Sequence, residues 1–327
     1  MDEIVAYSRA RIERGSKSFA GAARLFDEDT RASAYMLYAW CRHCDDVIDG
    51  QDHGYVTPDT SRAPSRAALH ELTDQTTRAL AGQTDQPVFE ALRRVVEKHT
   101  IPHIHPFELL EGFRMDVDAE RYETLDDTLR YSYHVAGVVG VMMAMIMGVR
   151  ERETLNRASD LGIAFQLTNI ARDVIADAEA GRCYLPAQWL KDAGIDTAGL
   201  TDPRVRPQVF RVTERLLDTA DEYYASAQRG IADLPPRAAW AIAAARNVYS
   251  DIGHVIRRRG AGAWDERAYV GRSRKLSGVA LGGVQAVWSR LTPRKTTAGT
   301  GADRVGLWTH PGLGEDGVGS VARQAAE

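Results

Sequence analysis

Several features that would point to a class of function are scarce in this sequence. Among 327 residues there are three cysteines, Cys41, Cys44 and Cys183, and so small and odd a number argues against a disulfide framework and for a reducing compartment. The net charge is only −4, and the 8% of aromatic residues are not interleaved with basic ones. We therefore expect no nucleic-acid partner.

Long hydrophobic runs are also lacking. The first 15 residues contain no apolar segment of the kind found in signal peptides, so we expect none. The longest apolar run, residues 135–149, is shorter than the roughly 20 residues that span a bilayer, which favours a buried core helix. With 44% hydrophobic residues, the chain can instead form a sizeable hydrophobic core.

Helical periodicity dominates what the sequence does contain. Apolar residues recur at three- and four-residue spacing in residues 29–49, 63–82, 86–99, 105–118, 124–149, 152–179, 203–230, 235–259 and 265–291. Alternating strand patterns are nearly absent, so the sequence predicts an all-α fold with one catalytic domain over residues 1–291. Residues 292–327 are rich in Gly and Thr without periodicity, which predicts a disordered tail.

The last predicted helix leaves two interpretations open. Residues 275–291 carry an apolar face flanked by basic residues and Trp288. The face could pack against the bundle, which is the plainer interpretation, or rest on a membrane surface.

An unusual acidic segment, CRHCDDVIDG (41–50), ends the first predicted helix. Asp45 and Asp49 are four residues apart and therefore lie on the same helix face, where they repel each other. Cys41 and Cys44 have C-x-x-C spacing, but no second Cys or His pair follows, so we interpret them as helix-packing residues.

A second polar stripe lies in QLTNIARDVIAD (166–177). Gln166, Asn169, Asp173 and Asp177 recur at three- and four-residue spacing, and no lysine accompanies them. Two such carboxylate pairs in apolar helices would be costly to bury together unless a cation joined them. Oxygen ligands without His or Cys suit Mg²⁺ or Mn²⁺, with diphosphate completing the coordination shell.

Other phosphate and metal motifs fit the sequence poorly. A calcium loop starting at Asp45 would have Val47 and Val56 at ligand positions, and no G-x-x-x-x-G-K motif is present. Basic residues near the two stripes, Arg42, Arg172 and Arg182, could instead bind a diphosphate.

Three motifs resemble the squalene/phytoene synthase family, and in particular its bacterial members that make phytoene. They are LYAWCRHCDDVID (37–49), YSYHVAGVVG (131–140) and QLTNIARDVIADAEAGRCYLP (166–186), and the resemblance extends from about residue 15 to 290. It implies an all-α isoprenoid-synthase bundle with a central cavity. It also implies a carotenoid-pathway prenyltransferase that condenses two geranylgeranyl diphosphates head to head, through prephytoene diphosphate, to phytoene.

The resemblance also implies roles for individual residues. Asp45, Asp49, Asn169, Asp173 and Asp177 would hold Mg²⁺ or Mn²⁺. The residues expected at the diphosphate or the reacting end are Lys17, Ser18, Tyr38, Arg42, Gln166, Arg172 and Arg267, the last on the short pattern WDERAYV. Tyr131, Val135, Gly140 and Tyr184 would line the cavity. The catalytic residues among these would be the four aspartates, Arg42 and Tyr131. Relatives often have His where this chain has Gly15, so no diphosphate contact is expected there.

Alternative functions remain open at this point. The same scaffold could make squalene or dehydrosqualene from farnesyl diphosphate; squalene would require NADPH, which we do not expect here. A non-catalytic helical assembly partner is disfavoured because both aspartate pairs are intact. We expect a cytoplasmic protein with peripheral contact at the inner face of the membrane, since substrate and product are greasy.

Overall fold

The described structure, a computed structural model, covers residues 2–50, 65–266, 281–283, 304 and 306–310. Its α-helices are α1 (Glu3–Gly15), α2 (Lys17–Ala23), α3 (Glu28–Asp49), α4 (Arg66–Leu80), α5 (Pro87–His99), α6 (Ile104–Val117), α7 (Leu125–Ser132), α8 (Val138–Ile146), α9 (Arg152–Glu179), α10 (Ala187–Asp192), α11 (Arg206–Gly230) and α12 (Pro236–Arg259). No strand occurs within these residues. The all-α prediction is confirmed, and α1, α2 and α10 are additional to the predicted segments.

Helix α9 is the central element of the bundle. It packs against α7, α8, α11 and α12, and its buried residues lie on several faces. A Cβ on Gly162 would lie 2.2 Å from the carbonyl oxygen of Ala136, and one on Gly140 would lie 2.3 Å from that of Ala158. Only glycine at these two positions allows the backbone segments to approach so closely.

The predicted helix over 124–149 is interrupted by a π-helical turn, Tyr133–Gly137, between α7 and α8. A Cβ on Gly112 of α6 would lie 2.7 Å from Val135 Cγ1, so α6 packs closely on this turn. Such turns often occur at functional sites. The continuous stretch Leu125–Ile146 has the length and composition of a membrane span, but 67% of its apolar window is buried in the protein, as for a core helix.

Helix α3 directs a polar stripe away from its buried face. Asp27 caps its first turn by accepting from the Thr30 N–H, and Gly50 ends it in the left-handed conformation with φ of 60°. Leu37, Trp40, Cys44 and Ile48 recur at helical spacing and are at most 1% exposed. Their burial fixes the rotation of α3 and therefore the direction of its acidic residues.

Parts of the carboxyl-terminal region lie against the bundle. Residues 281–283 are helical, and a Cβ on Gly282 would lie 2.7 Å from the Ala244 nitrogen of α12. The rest of the helix predicted over 265–291 lies outside the described residues. Within the tail predicted to be disordered, Arg304 and Trp308 contact α9 and α11, and disorder of the remainder stays a prediction.

Candidate active site

A cavity of about 610 Å³ runs through the bundle. Its walls come from α1, α2, α3, α6, α7, the π-helical turn, α8, α9, α11 and α12. On α9 the lining residues extend from Thr154 to Arg172, a distance of about 27 Å at 1.5 Å per residue. One end is polar and the rest of the wall is largely apolar, so the cavity suits a long hydrocarbon chain with a charged head.

Helix α3 contributes a set of ion pairs to the polar end. Arg42 lies 2.8 Å from Asp45 and 2.9 Å from Asp46, and Arg11 of α1 lies 3.4 Å from Asp46. Asp46 is 5% exposed, whereas Asp45 is 40% exposed and lines the cavity. Of these two carboxylates, Asp45 is therefore the one that is available to a ligand in the cavity.

Helix α9 presents the second predicted stripe at the same end. Gln166, Asn169 and Arg172 line the cavity, and Arg172 is paired with Asp173. Arg182, in the loop that follows α9, lies 2.7 Å from Asp49 of α3. This ion pair joins the two acidic segments, so the structure brings together the stripes that the sequence analysis singled out.

Burial and mutual repulsion perturb the carboxylates of this cluster. The exposed part of Asp45 faces the internal cavity, and the surrounding bundle still encloses the side chain. This burial, together with the neighbouring charge of Asp49, raises the pKa of Asp45 to about 7 although Arg42 opposes the shift. Burial and the neighbouring charge of Asp173 raise the pKa of Asp177 to about 7. Both groups hold a proton more readily than an ordinary carboxyl, which indicates a shortage of positive charge.

Asp116 of α6 is a site residue that the sequence analysis missed. Its carboxylate accepts hydrogen bonds from Tyr184 Oη at 2.9 Å and Tyr131 Oη at 3.0 Å. It lies within electrostatic range of Asp45, Asp49 and Asp177. Burial raises its pKa to about 6, against the lowering effect of the two tyrosine bonds.

A signal for Asp116 was present in the sequence. Leu109 and Phe113 of α6 are buried, and Asp116 follows at helical spacing on the same face. A charged residue that continues an apolar stripe is unusual and points to a partner or a site. Its acidic neighbour at i+4, Glu120, lies beyond the end of α6 and pairs with Arg114 and Arg130, so Asp116 does not form a carboxylate pair of the kind found in α3.

Three tyrosine rings form a cluster beside this carboxylate. Tyr131 and Tyr184 are stacked with centroids 4.7 Å apart, and Tyr122 lies 5.3 Å and 5.7 Å from them. Thr128 Oγ1 donates to the Tyr184 carbonyl oxygen at 2.9 Å, which ties the GRCYLP segment to α7. Tyr131 lines the cavity. Tyr184, which was also predicted to line it, is not among the lining residues and instead stacks on Tyr131.

The other predicted residues fall into two groups. Tyr38, Val135 and Gly140 line the cavity, although the close approach of Ala158 already requires glycine at position 140. Lys17 and Ser18 form the first turn of α2, but their side chains are not described, and Arg267 lies outside the described residues.

Gly15 also lines the cavity, at the position where relatives often have His. A Cβ there would lie 2.5 Å from the Tyr38 hydroxyl oxygen. The space that a side chain at position 15 would need is therefore filled by Tyr38.

The cysteines are free thiols. Burial raises the pKa of Cys41 to about 12 and that of Cys44 well above its usual range. Since the thiolate is the form that binds metal and exchanges disulfides, packing remains the better interpretation of the C-x-x-C pair.

The donor set fits a hard divalent cation. Among the described side chains, the cluster contains six carboxylates, Asp45, Asp46, Asp49, Asp116, Asp173 and Asp177, and four guanidinium groups, Arg11, Arg42, Arg172 and Arg182. Carboxylate and amide oxygens with no imidazole or thiolate are the ligands that Mg²⁺ and Mn²⁺ prefer. The excess of negative charge gives such an ion a reason to bind.

Comparison with known proteins points to one family. Residues 12–274 match the family described as squalene/phytoene synthase. The chain is 50% identical over 300 residues to the 15-cis-phytoene synthase of Enterobacter agglomerans, a match that covers 92% of this chain and 100% of the relative. It is also 50% identical over 312 residues to the 15-cis-phytoene synthase of a Paracoccus species, covering 95% and 99% of the two chains.

Solved structures have the same architecture. A dehydrosqualene synthase superposes with a TM-score of 0.77 at 28% identity, covering 86% of this chain and 96% of that one. A squalene synthase from Alicyclobacillus acidocaldarius superposes with a TM-score of 0.69 at 25% identity, covering 79% and 94%.

Proposed function

Because the chain belongs to the squalene/phytoene synthase family, we propose that it catalyses phytoene synthesis. The reaction is the head-to-head condensation of two geranylgeranyl diphosphates, through prephytoene diphosphate, as a prenyl transfer in carotenoid biosynthesis. The observation that carries the proposal is the position of two acidic stripes, from α3 and α9, at the polar end of an apolar cavity that follows α9 for about 27 Å. Relatives with half of their residues identical are named for this product.

The acidic stripes would hold the divalent ions. Asp45 and Asp49 would act from α3, and Asn169, Asp173 and Asp177 from α9. Asp45 and Asn169 line the cavity directly, and the Arg182 pair keeps Asp49 beside them. When bound, Mg²⁺ or Mn²⁺ supplies positive charge that stabilises the departing diphosphate.

Arginine side chains would complete the diphosphate site. Arg42 and Arg172 line the cavity and are held in the bundle by ion pairs with Asp45 and Asp173. A diphosphate between the stripes would find guanidinium donors already oriented, which lowers the reorganisation needed when charge develops on the leaving group. Lys17, Ser18, Tyr38, Gln166 and Arg267 are proposed to contact the same diphosphates or the reacting carbons.

The cavity wall would protect the allylic cation. Val135, Val139 and Phe165 form an apolar lining next to the polar end and exclude water, which would otherwise quench the cation. The Tyr131 ring lies at the boundary and can stabilise cationic carbon through its face. Its hydroxyl donates to Asp116 at 3.0 Å, which increases the electron density of the ring.

The substrate chain length separates this proposal from its nearest alternative. The two solved structures just described are named for dehydrosqualene and squalene synthesis, which would use farnesyl diphosphate. A product analysis with purified protein distinguishes the two. The protein is incubated with Mg²⁺ and either geranylgeranyl or farnesyl diphosphate, each with and without NADPH, and the extracted hydrocarbon is identified.

We expect a C40 hydrocarbon from geranylgeranyl diphosphate, independent of NADPH and abolished by a chelator. The Asp45→Asn variant should make none, while Asp74→Asn on the exposed surface of α4 should match the unaltered protein. A C30 product from farnesyl diphosphate alone would move the function to squalene-type synthesis. No product from either substrate would favour the non-catalytic interpretation.

We further propose that the protein works in the cytoplasm in peripheral contact with the membrane. Both substrate and product are long hydrocarbons, so exchange with a bilayer is the expected route of entry and release. Flotation with liposomes of anionic and neutral composition tests this, and a protein that stays at the bottom of the gradient with both would contradict it.

A further inference from the structure

A cluster of imidazole and carboxylate groups lies outside the candidate active site. His134 of the π-helical turn, Glu108 of α6 and His310 near the carboxyl end each present one ligand atom, and these atoms lie within 4.8 Å of one another. Glu108 Oε2 is 2.9 Å from His134 Nδ1 and 3.5 Å from His310 Nε2. We propose that these three residues form a second metal site, for a divalent transition-metal ion of the Zn²⁺ type.

The spacing of the ligand atoms suits tetrahedral coordination. With Zn–N and Zn–O bonds of about 2.1 Å, neighbouring ligand atoms of a tetrahedron lie about 3.4 Å apart. The observed 2.9 Å and 3.5 Å to Glu108 are on either side of this value, and the two imidazoles lie within 4.8 Å of each other, so they would have to turn towards one another to complete the shell. Two imidazoles and one carboxylate are known zinc ligands, and a fourth ligand, either His105 of α6 or a water, would close the tetrahedron as structural sites require.

The cluster is largely desolvated but reachable from outside. The exposed fractions of the side chains are 7% for His134, 13% for Glu108 and 19% for His310. A carboxylate held between two imidazoles away from water can bind either protons or a metal ion. Imidazole selects Zn²⁺-type ions over Mg²⁺, so this site differs in class from the all-oxygen cluster of the cavity.

A neighbouring histidine supports the assignment. His105 lies one turn before Glu108 on α6 and is 8% exposed, within electrostatic range of Glu108 and His310. Its Nδ1 has no hydrogen-bond partner within the described part of the chain. Buried polar atoms are nearly always partnered, and an ion at this cluster would give His105 a partner, directly or through a bound water.

Contacts with Glu108 already orient His134. With a proton on Nδ1, the ring can donate to Glu108 Oε2 and to the Glu108 carbonyl oxygen, which is 3.0 Å away. With the proton on Nε2, the Nδ1 lone pair faces the same point and can bind the ion. Binding therefore requires a change of tautomer rather than a rearrangement of the backbone.

The ion would fasten the carboxyl-terminal segment to the bundle. Arg304 pairs with Asp160 at 2.8 Å, and the Trp308 N–H donates to the Tyr223 hydroxyl at 3.0 Å. The His310 ring stacks on Tyr133 with centroids 4.5 Å apart. Metal binding would add a fourth attachment and strengthen the one at the π-helical turn, where Tyr133 already meets His310.

Through this attachment the ion would have a structural role that extends to the cavity wall. The π-helical turn carries His134 on one side and supplies Val135 and Ala136 to the cavity wall. Fixing His134 to α6 and to the tail would hold that part of the wall in place. The site is therefore one for structural stabilisation, separate from the proposed chemistry at the aspartates.

Zinc binding to the full-length protein tests the site directly. The protein is stripped with a chelator and titrated with Zn²⁺ by calorimetry in the presence of excess Mg²⁺, which occupies the aspartate cluster. We expect one tight equivalent in the unaltered protein. His310→Ala should weaken it by at least about 100-fold, more than the 10–100-fold typical for loss of a residue that only supports a ligand. His254→Ala, at an exposed position of α12, is the matched control and should bind as the unaltered protein does.

Cobalt provides a second readout that does not depend on activity. Co²⁺ in a tetrahedral site absorbs visible light far more strongly than octahedral Co²⁺ among carboxylates. We expect intense bands in the unaltered protein and their loss in Glu108→Gln and His310→Ala. The site is refuted if no tight zinc equivalent binds, if His310→Ala matches His254→Ala, or if only Asp45→Asn removes the zinc. None of these results bears on phytoene synthesis.

Discussion

Replacing Asp177 by asparagine should make the metal-free protein more stable while abolishing its turnover. The pKa of Asp177 is raised to about 7, so in the folded protein its ionised form is disfavoured by burial and by the charge of Asp173. Asn keeps the shape and removes the charge. The same change removes a proposed metal ligand, so stability and activity should move in opposite directions.

The magnitude follows from the pKa shift. A rise from 3.8 to about 7 is roughly 3 pKa units, or about 4 kcal/mol at 1.36 kcal/mol per unit. Solvent in the cavity and relaxation of Arg172 and Arg182 reduce this upper bound, and we expect about 1–2 kcal/mol. At the roughly 2–4 °C per kcal/mol of larger domains, the melting temperature should rise by about 2–8 °C.

The pH dependence gives the sign of the effect. Because the folded pKa lies above the unfolded one, the folded state binds more protons between pH 4 and 7, so the group destabilises the fold increasingly as pH rises through that window. The advantage of Asp177→Asn should therefore be absent near pH 3.8, grow towards pH 7 and stay constant above it.

Thermal melts in chelator at several pH values measure this difference, with Asp74→Asn as the surface control. Added Mg²⁺ should stabilise the unaltered protein more than Asp177→Asn, since binding to the folded state alone raises its stability. Equal melting temperatures at pH 8, or an advantage that grows towards acid, would refute the electrostatic reasoning.

Three further changes test other parts of the site. Gly162→Ala should lower the unfolding free energy by about 1–3 kcal/mol through overpacking, while Gly21→Ala, whose Cβ would meet no atom within 4 Å, should change melting little. Tyr184→Phe removes a 2.9 Å hydrogen bond that lowers the pKa of Asp116. Because that pKa should then rise, the acid limb of the pH–rate profile should move to higher pH. Tyr122→Phe should leave the limb where it is. Mg²⁺ affinity, measured by calorimetry, should fall below about pH 7 as the two carboxyls with that pKa take up protons.

The two acidic stripes could be predicted from sequence because each is local. Asp45 and Asp49 share a face of α3, and Asn169, Asp173 and Asp177 share a stripe of α9, by helical spacing alone. The all-α fold could be predicted for the same reason, since periodicity is a property of single segments. The resemblance to a family then indicated that the two stripes meet.

Contacts between distant segments could not be predicted in this way. Asp116 becomes a site residue only because Tyr131 and Tyr184 come to it from other elements. The π-helical turn has no periodicity signal of its own, since one extra residue in a turn leaves the apolar pattern almost unchanged. The cluster at Glu108 depends on His310, which lies about 200 residues away in sequence.

The carboxylates of the cavity oppose folding, and the bundle holds them because its helices are stabilised elsewhere. Trp40, Cys44 and Ile48 bury the opposite side of α3 almost completely, and the apolar residues of α9 contact several neighbours. These faces fix both helices whether or not the acidic stripes are neutralised. The charges can therefore stay close together before a cation arrives, which removes the cost of assembling them during the reaction. Both helices otherwise have polar residues outside and apolar residues inside. Buried carboxylates that break this pattern at one end of the cavity mark that end as the functional one.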